Sequence, residues 1–185
     1  MSDTNRATRV ADILRLFAER GHSQYGGENV TQLEHALQAA FFAERHGASA
    51  DLIAAALLHD VGHLLHALPD DAPTQGIDDA HEELAARWLA KRFGPAVCEP
   101  VRMHVLAKRY LCAIDDTYHA QLSAPSQQSL ELQGGVMTDA EARALEAHPF
   151  ANDAVQLRRW DDAAKVVGLQ TPAMEYYAKF LAEAD

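Results

Sequence analysis

The stretch Leu52-Ile53-Ala54-Ala55-Ala56-Leu57-Leu58-His59-Asp60-Val61-Gly62-His63 sets an imidazole and a carboxylate side by side in an otherwise apolar run. Packing alone selects neither group, because each loses hydration on burial and needs a polar partner there. A metal ion is such a partner, since neutral imidazole and carboxylate suit first-row cations. Adjacent residues of an α-helix point about 100° apart, so His59 and Asp60 reach one ion only where the helix meets it end-on or at its edge. His63 lies one turn on, over His59.

Working outward, apolar residues recur at helical spacing almost throughout, as in Val10, Ile13, Leu14 and Phe17 and again in Leu33, Leu37, Ala40, Phe41 and Ala43. No segment alternates as a strand does. The expectation is an all-α fold in which residues 1–185 make a single compact helical bundle, with 48% hydrophobic residues to fill its core. Thr31 followed by Glu34 reads as a capping box for a helix through Arg45, with Gly47 as its stop. Further helices are expected over residues 50–66, 79–93, 96–108, 113–121, 126–133, 138–147, 151–166 and 172–183. Between the first two of these, residues 67–78 carry Pro69, Pro73 and Gly76 and read as a loop long enough to line or cover a site.

Charge narrows the partners. With 16 Lys plus Arg against 27 Asp plus Glu, the net charge is 16 − 27 = −11, a field that opposes nucleic acid and anionic membranes. An anionic ligand therefore needs cations gathered locally. No apolar run is long enough to span a bilayer and the polar start is unlike a secretion signal, so a soluble cytoplasmic protein is expected. Cys98 and Cys112 read as reduced, small packed side chains. Trp88 and Trp160 are assigned to the core, so nothing specifies an oligomer.

Three further histidines stand out by their company: His35 in an apolar helix, His81 at a helix start and His104 in Val-Arg-Met-His-Val-Leu. One buried histidine is more often a hydrogen-bonded core residue than a ligand; several together with a carboxylate are harder to explain that way. Asp60 is the natural bridge, because two carboxylate oxygens join two ions where no single imidazole does. Lys108 falls four residues after His104, sharing its helix face. Arg109 and Arg159 are adjacent alternatives to Lys108 and Arg158. Ser126, after Pro125, reads as a helix N-cap, and Tyr25 and Glu28 stand in a glycine-rich turn.

The set His35, His59-Asp60 and Asp161 resembles the H…HD…D pattern of the HD-domain superfamily, an all-helical, metal-dependent group, and His81 and His104 resemble the additions of its dinuclear branch. That resemblance implies one ion on His35, His59, Asp60 and Asp161 and a second on Asp60, His81 and His104. The segments Tyr25-Gly-Gly-Glu-Asn-Val-Thr-Gln-Leu-Glu-His35, Ala-Leu-Leu-His59-Asp-Val-Gly-His63, Lys108-Arg-Tyr-Leu-Cys112 and Leu157-Arg-Arg-Trp-Asp-Asp-Ala-Ala-Lys165 are similar to the 2-amino-1-hydroxyethylphosphonate dioxygenase family, which is related to myo-inositol oxygenase. The likeness implies two iron ions, Fe(II)/Fe(III) in the active form, with O2 as co-substrate. The small-molecule partner is then a 1-hydroxy-2-(amino or trimethylammonio)ethylphosphonate, split to glycine or glycine betaine plus phosphate. It further implies phosphonate binding by Lys108 and Arg158, which shares a helix face with Asp161, with Ser126 and Ser129 beside them. Tyr25 and Glu28 would reorganise as substrate enters, and His63 would hydrogen-bond a ligand or substrate. The rival reading is an HD-domain metal-dependent phosphohydrolase on the same scaffold, with water as nucleophile.

Overall fold

The helix signals read in the sequence are used where chain-local chemistry sets them. Thr31 accepts from the Glu34 amide at 3.1 Å while the Glu34 carboxylate accepts from the Thr31 amide at 2.7 Å, closing the capping box. Gly47, at φ +71°, ends that helix in a conformation that costs a side-chain-bearing residue about 1–2 kcal/mol. In the computed structural model, which describes residues 3–65 and 80–185, the elements are α1 (Asp3–Arg20), α2 (Gln32–Arg45), α3 (Ala50–Leu58), α4 (Val61–Leu65), α5 (His81–Leu89), α6 (Pro95–Ile114), α7 (Tyr118–Gln121), α8 (Ala124–Leu132), α9 (Asp139–Glu146), α10 (Ala151–Ala163), a 3-10 turn (Met174–Tyr177) and α11 (Ala178–Glu183). No strand occurs among the described residues, so the fold is all-α. The expected loop over residues 67–78 lies outside the described residues.

Helix α6 is the axis. It packs against α10 on one side and α3 and α5 on others, while α2 closes against α3 and α10. Helix α3 is apolar all round, with Leu52 to Leu58 buried without exception, as a helix surrounded by others requires. Its Ala54-Ala55-Ala56 run is fully buried and leaves room for close neighbours. Leu57, Leu58, Leu89 and Val101 join Ile13 and Phe17 in the main core, each worth roughly 1.5–3 kcal/mol on burial. A second cluster, including Met103, Ala107 and Ala154, seals α6 to α10, and a third, Leu111, Tyr118, Leu122 and Leu130, seats α7 and α8 on the end of α6. Arg9 ties the termini together by donating to Arg92 O, Leu181 O and Ala184 O. No described helix is long and apolar enough to cross a membrane.

Three sequence boundaries are corrected. The expected continuous helix over residues 50–66 stops at Leu58 and restarts at Val61, leaving His59 and Asp60 at the break. Residues 96–108 and the start of 113–121 merge into one α6 that runs to Ile114, because Leu111 remains on the buried face. The segment 172–183 begins as a 3-10 turn before α11.

Candidate metal centre

The break at His59-Asp60 resolves the 100° problem posed by adjacent helix residues. His59 is the C-cap of α3, and His63 N donates to Asp60 O at 3.0 Å to start α4, so the two side chains turn toward the same point. Helix α2 brings His35 there, α5 brings His81 at its first residue, α6 brings His104 and α10 brings Asp161; all six groups are buried.

Backbone carbonyls fix the imidazole tautomers. His35 Nδ1 lies 2.8 Å from Ala164 O, His59 Nδ1 2.8 Å from Ala56 O and His104 Nδ1 2.7 Å from Val101 O. A carbonyl only accepts, so each Nδ1 carries the proton and each Nε2 of a neutral ring presents a lone pair. His35 Nε2 and His59 Nε2 then face each other at 3.0 Å, with Asp60 Oδ2 3.4 and 3.3 Å away. On the other side, His81 Nε2 and His104 Nε2 are 3.2 Å apart and each 3.4 Å from Asp60 Oδ1. Two neutral-ring acceptors as close as His35 Nε2 and His59 Nε2 repel unless a cation lies between them. Asp60 Oδ1 and Asp161 Oδ1 are buried without a hydrogen bond, which a cation would also satisfy. His35, His59 and Asp60 make one metal-competent group and Asp60, His81 and His104 another, sharing Asp60. Asp161 Oδ1 joins the first at 3.4 Å from His35 Nε2.

The electrostatics agree with that donor set. Burial alone would raise the Asp60 pKa, but His59, His104 and His35 hold it well below the ordinary carboxylate range. Asp161 is likewise driven down against its burial, chiefly by Arg158, whose guanidinium Nη1 is 2.8 Å from Asp161 Oδ2. Without metal, burial lowers the His35 pKa but Asp161 and Asp60 override it and raise it to about 9. A proton thus competes with the ion for this ring.

Beside the carboxylates stands a cluster of cations. Lys108 Nζ donates to Ser129 Oγ at 2.7 Å, and burial beside Arg158 depresses its pKa to about 7. Arg158 is fixed by Asp161, Asp162 and the Tyr118 hydroxyl. Ser126 Oγ accepts from Lys165 Nζ at 2.9 Å. Ser126 is therefore not the N-cap that its place after Pro125 indicated. Ser123 caps α8 by accepting from the Ser126 amide, freeing the Ser126 side chain to face inward. Arg109 instead reaches Gly135 O and Glu141, and Arg159 is exposed, so Lys108 and Arg158 are the inward members of each pair.

Tyr25 and Glu28 lie on a turn closed by Tyr25 N to Val30 O and Glu28 N to Tyr25 O, with Gly26 and Gly27 at φ +40° and +82°. The Tyr25 ring stacks on His35 at 3.8 Å between centroids, and burial together with Asp161 and Asp60 raises its pKa well above the usual phenol value. His63 stacks on His81 at 4.1 Å and meets Tyr25 edge-on at 6.5 Å. The sequence reading gave no role to Lys165 or Asp162. Lys165 carried a signal, four residues after Asp161, whereas Tyr118 is placed only by the packing of α7 against α6.

A helical bundle with a paired His-Asp break and carboxylate-linked histidine groups defines an HD-domain protein; residues 33–185 match the HD domain family, and the chain belongs to it. Within that family it belongs with the phosphonate dioxygenases. It is 50% identical over 170 residues to the hydroxymethylphosphonate dioxygenase of Gimesia maris, covering 91% of this chain and 84% of that one. To the glycine-betaine-forming 1-hydroxy-2-(trimethylamino)ethylphosphonate dioxygenase of Leisingera caerulea it is 38% identical over 178 residues, 96% of this chain and 91% of the relative. An uncharacterized protein of Acanthamoeba polyphaga mimivirus is 35% identical over 176 residues, 94% and 80% of the two chains.

Proposed function

We propose that this protein is a di-iron oxygenase that uses O2 to cleave the carbon–phosphorus bond of a 1-hydroxyphosphonate, releasing phosphate and a carboxylic acid. The observation that carries the reading is Asp60: one buried carboxylate whose two oxygens each face a pair of imidazole nitrogens, beside Asp161, whose other oxygen is 2.8 Å from the Arg158 guanidinium. His35, His59, Asp60 and Asp161 would hold one ion and Asp60, His81 and His104 the other. When bound, the iron pair would supply the redox chemistry that activates O2, which hydrolysis cannot replace because an unactivated carbon–phosphorus bond must be oxidised at carbon.

The chain's own groups do the rest. Lys108 and Arg158, with Ser126 and Ser129, would bind the phosphonate oxygens by charge-assisted hydrogen bonds and fix the carbinol carbon toward the metal side. Arg158 remains cationic throughout, since Asp161 and Asp162 overcome its burial and raise its pKa well above the usual value. Tyr25, stacked over His35, shields the centre from water until substrate displaces it. His63, packed between Tyr25 and His81, would position the substrate hydroxyl. For hydroxymethylphosphonate, the substrate named for one relative, addition of O2 balances as formate, hydrogen phosphate and one proton; the 2-amino and 2-trimethylammonio ethyl counterparts would give glycine and glycine betaine.

The test is an oxygen-electrode assay on iron-loaded protein with these phosphonates. One O2 consumed per phosphate released is expected. Phosphate release at an undiminished rate under anaerobic conditions would instead make the protein a hydrolase.

A further inference from the structure

We infer that Tyr118 is a positioning residue for phosphonate capture: its hydroxyl closes a hydrogen-bonded ring between Asp162 and one edge of the Arg158 guanidinium, and so holds the remaining guanidinium N–H groups for the phosphonate oxygens. The inference rests on the phosphonate reading of Arg158 and goes on to name what sets its geometry.

Asp161 alone cannot set that geometry. It faces the guanidinium at a single nitrogen, with Nη1 2.8 Å from Oδ2, while its Oδ1 is turned to His35, and one contact leaves a planar group free to pivot. The other edge is held from outside the metal centre. Arg158 Nε donates to the Tyr118 hydroxyl at 3.3 Å, that hydroxyl donates to Asp162 Oδ2, and Asp162 Oδ1 accepts from Arg158 Nη2, which closes the ring. Each direction is forced: a guanidinium only donates, a carboxylate only accepts, and a phenol does both at once. Burial raises the Tyr118 pKa above the usual phenol value against the pull of Arg158, so the hydroxyl keeps its proton. Of the five guanidinium N–H groups three face these partners, which leaves two, one on each Nη, the number a bidentate pair with phosphonate oxygens uses. Tyr118 reaches this point for local reasons. Asp115 ends α6 and accepts from the Thr117 amide and hydroxyl at 2.9 and 2.7 Å, and beyond this turn the Tyr118 ring packs in the apolar cluster of Leu111, Leu122 and Leu130. Apolar burial thus places the ring, and its hydroxyl is left to Arg158 and Asp162.

Tyr118→Phe isolates the hydroxyl, since the ring keeps its place in the apolar cluster. Without the hydroxyl, Asp162 Oδ2 is released to accept from Arg158 Nε, and the guanidinium turns into a side-on pair with Asp162. Affinity for hydroxymethylphosphonate is measured by calorimetry on iron-loaded protein without oxygen, for the wild type, Tyr118→Phe, Arg158→Lys and the double variant. Tyr118→Phe should weaken binding on the order of tenfold, the factor set by one hydrogen bond to a charged group, with metal content unchanged. In the Arg158→Lys background the same change should weaken it by less than about twofold, because an ammonium has no planar edge to hold. With O2 present, KM should carry the loss while kcat stays near the wild-type value. Equal losses in the two backgrounds would make Tyr118 a packing residue and overturn the inference. Unchanged affinity in Tyr118→Phe would also overturn it, as would a loss of metal that accounts for the weaker binding. No binding of hydroxymethylphosphonate by the wild type would sink the phosphonate reading together with the inference, whereas binding without O2 consumption fails only the oxygenase proposal.

Discussion

Replacing Gly62 by alanine should strip one metal from the centre without touching a proposed ligand. A Cβ at this position would lie 2.0 Å from the carbonyl oxygen of His81 and 2.7 Å from its carbonyl carbon. Ordinary contact begins near 3.4 Å, so α4 and the start of α5 must separate by about 3.4 − 2.0 = 1.4 Å. The obstruction is backbone, which has no rotamer to change, so the cost belongs at the upper end for overpacking, about 3 kcal/mol. For a chain of this size that lowers Tm by roughly 6–12 °C. The displaced residue is His81 itself, and a misplacement near 1 Å costs on the order of a hundredfold in rate. Metal analysis should find the ion on Asp60, His81 and His104 lost, while the one on His35, His59, Asp60 and Asp161 remains. A Gly62→Ala protein with two ions and an unchanged melting temperature would refute the close approach of these two segments.

Removing the shared carboxylate is more drastic: Asp60→Ala should bind at least one ion fewer and show no measurable turnover, and full metal content with normal turnover would rule out the bridge. Ala80, at φ +46°, precedes His81 in a left-handed conformation that costs about 1–2 kcal/mol for a non-glycine residue. Ala80→Gly should therefore raise Tm by a few degrees, and a lowered Tm would show that the backbone there is relaxed. Lys108 gives a pH signature. Its pKa is depressed to about 7, so the free site loses this charge as pH rises above that value, and binding a dianionic phosphonate must take up a proton. Between pH 8 and 9.5, affinity should fall by up to about tenfold per unit, with proton uptake seen as a buffer-dependent binding enthalpy; Lys108→Arg, always charged, should flatten that slope. Metal loading near pH 8 should release a proton from His35, whose pKa of about 9 in the metal-free centre comes from Asp161 and Asp60 overriding its burial; pH-stat titration that records no release would contradict the raised value.

Much of the bundle was legible because helical periodicity, the Thr31 capping box and the Gly47 stop are decided within a few residues of chain. His59-Asp60 was legible as chemistry for a similar reason, since no apolar helix selects that pair for packing. Its break was not. The run from Leu52 to Leu65 is helical by pattern on both sides, and the interruption accompanies His59 Nδ1 turning back to Ala56 O while Asp60 faces its neighbour His59 and three imidazoles that belong to other helices. Ser126 misled because a serine after a proline resembles a cap, yet Ser123 was equally able to serve and the burial of α8 against α6 chose between them.

The amino-acid order by itself determined an all-helical chain and set Lys108 on the helix face of His104 and Arg158 on that of Asp161, which follow from spacing along single helices, while the set of nitrogen and oxygen donors came from the resemblance to the HD-domain pattern. Only the tertiary structure decided that Asp60 stands between two pairs of histidines, that Gly62 admits His81 by lacking a side chain, and that Lys165 reaches Glu28 across 137 residues of sequence. Those relations depend on which helices pack together, and that is fixed by burial summed over the whole core rather than by any local stretch.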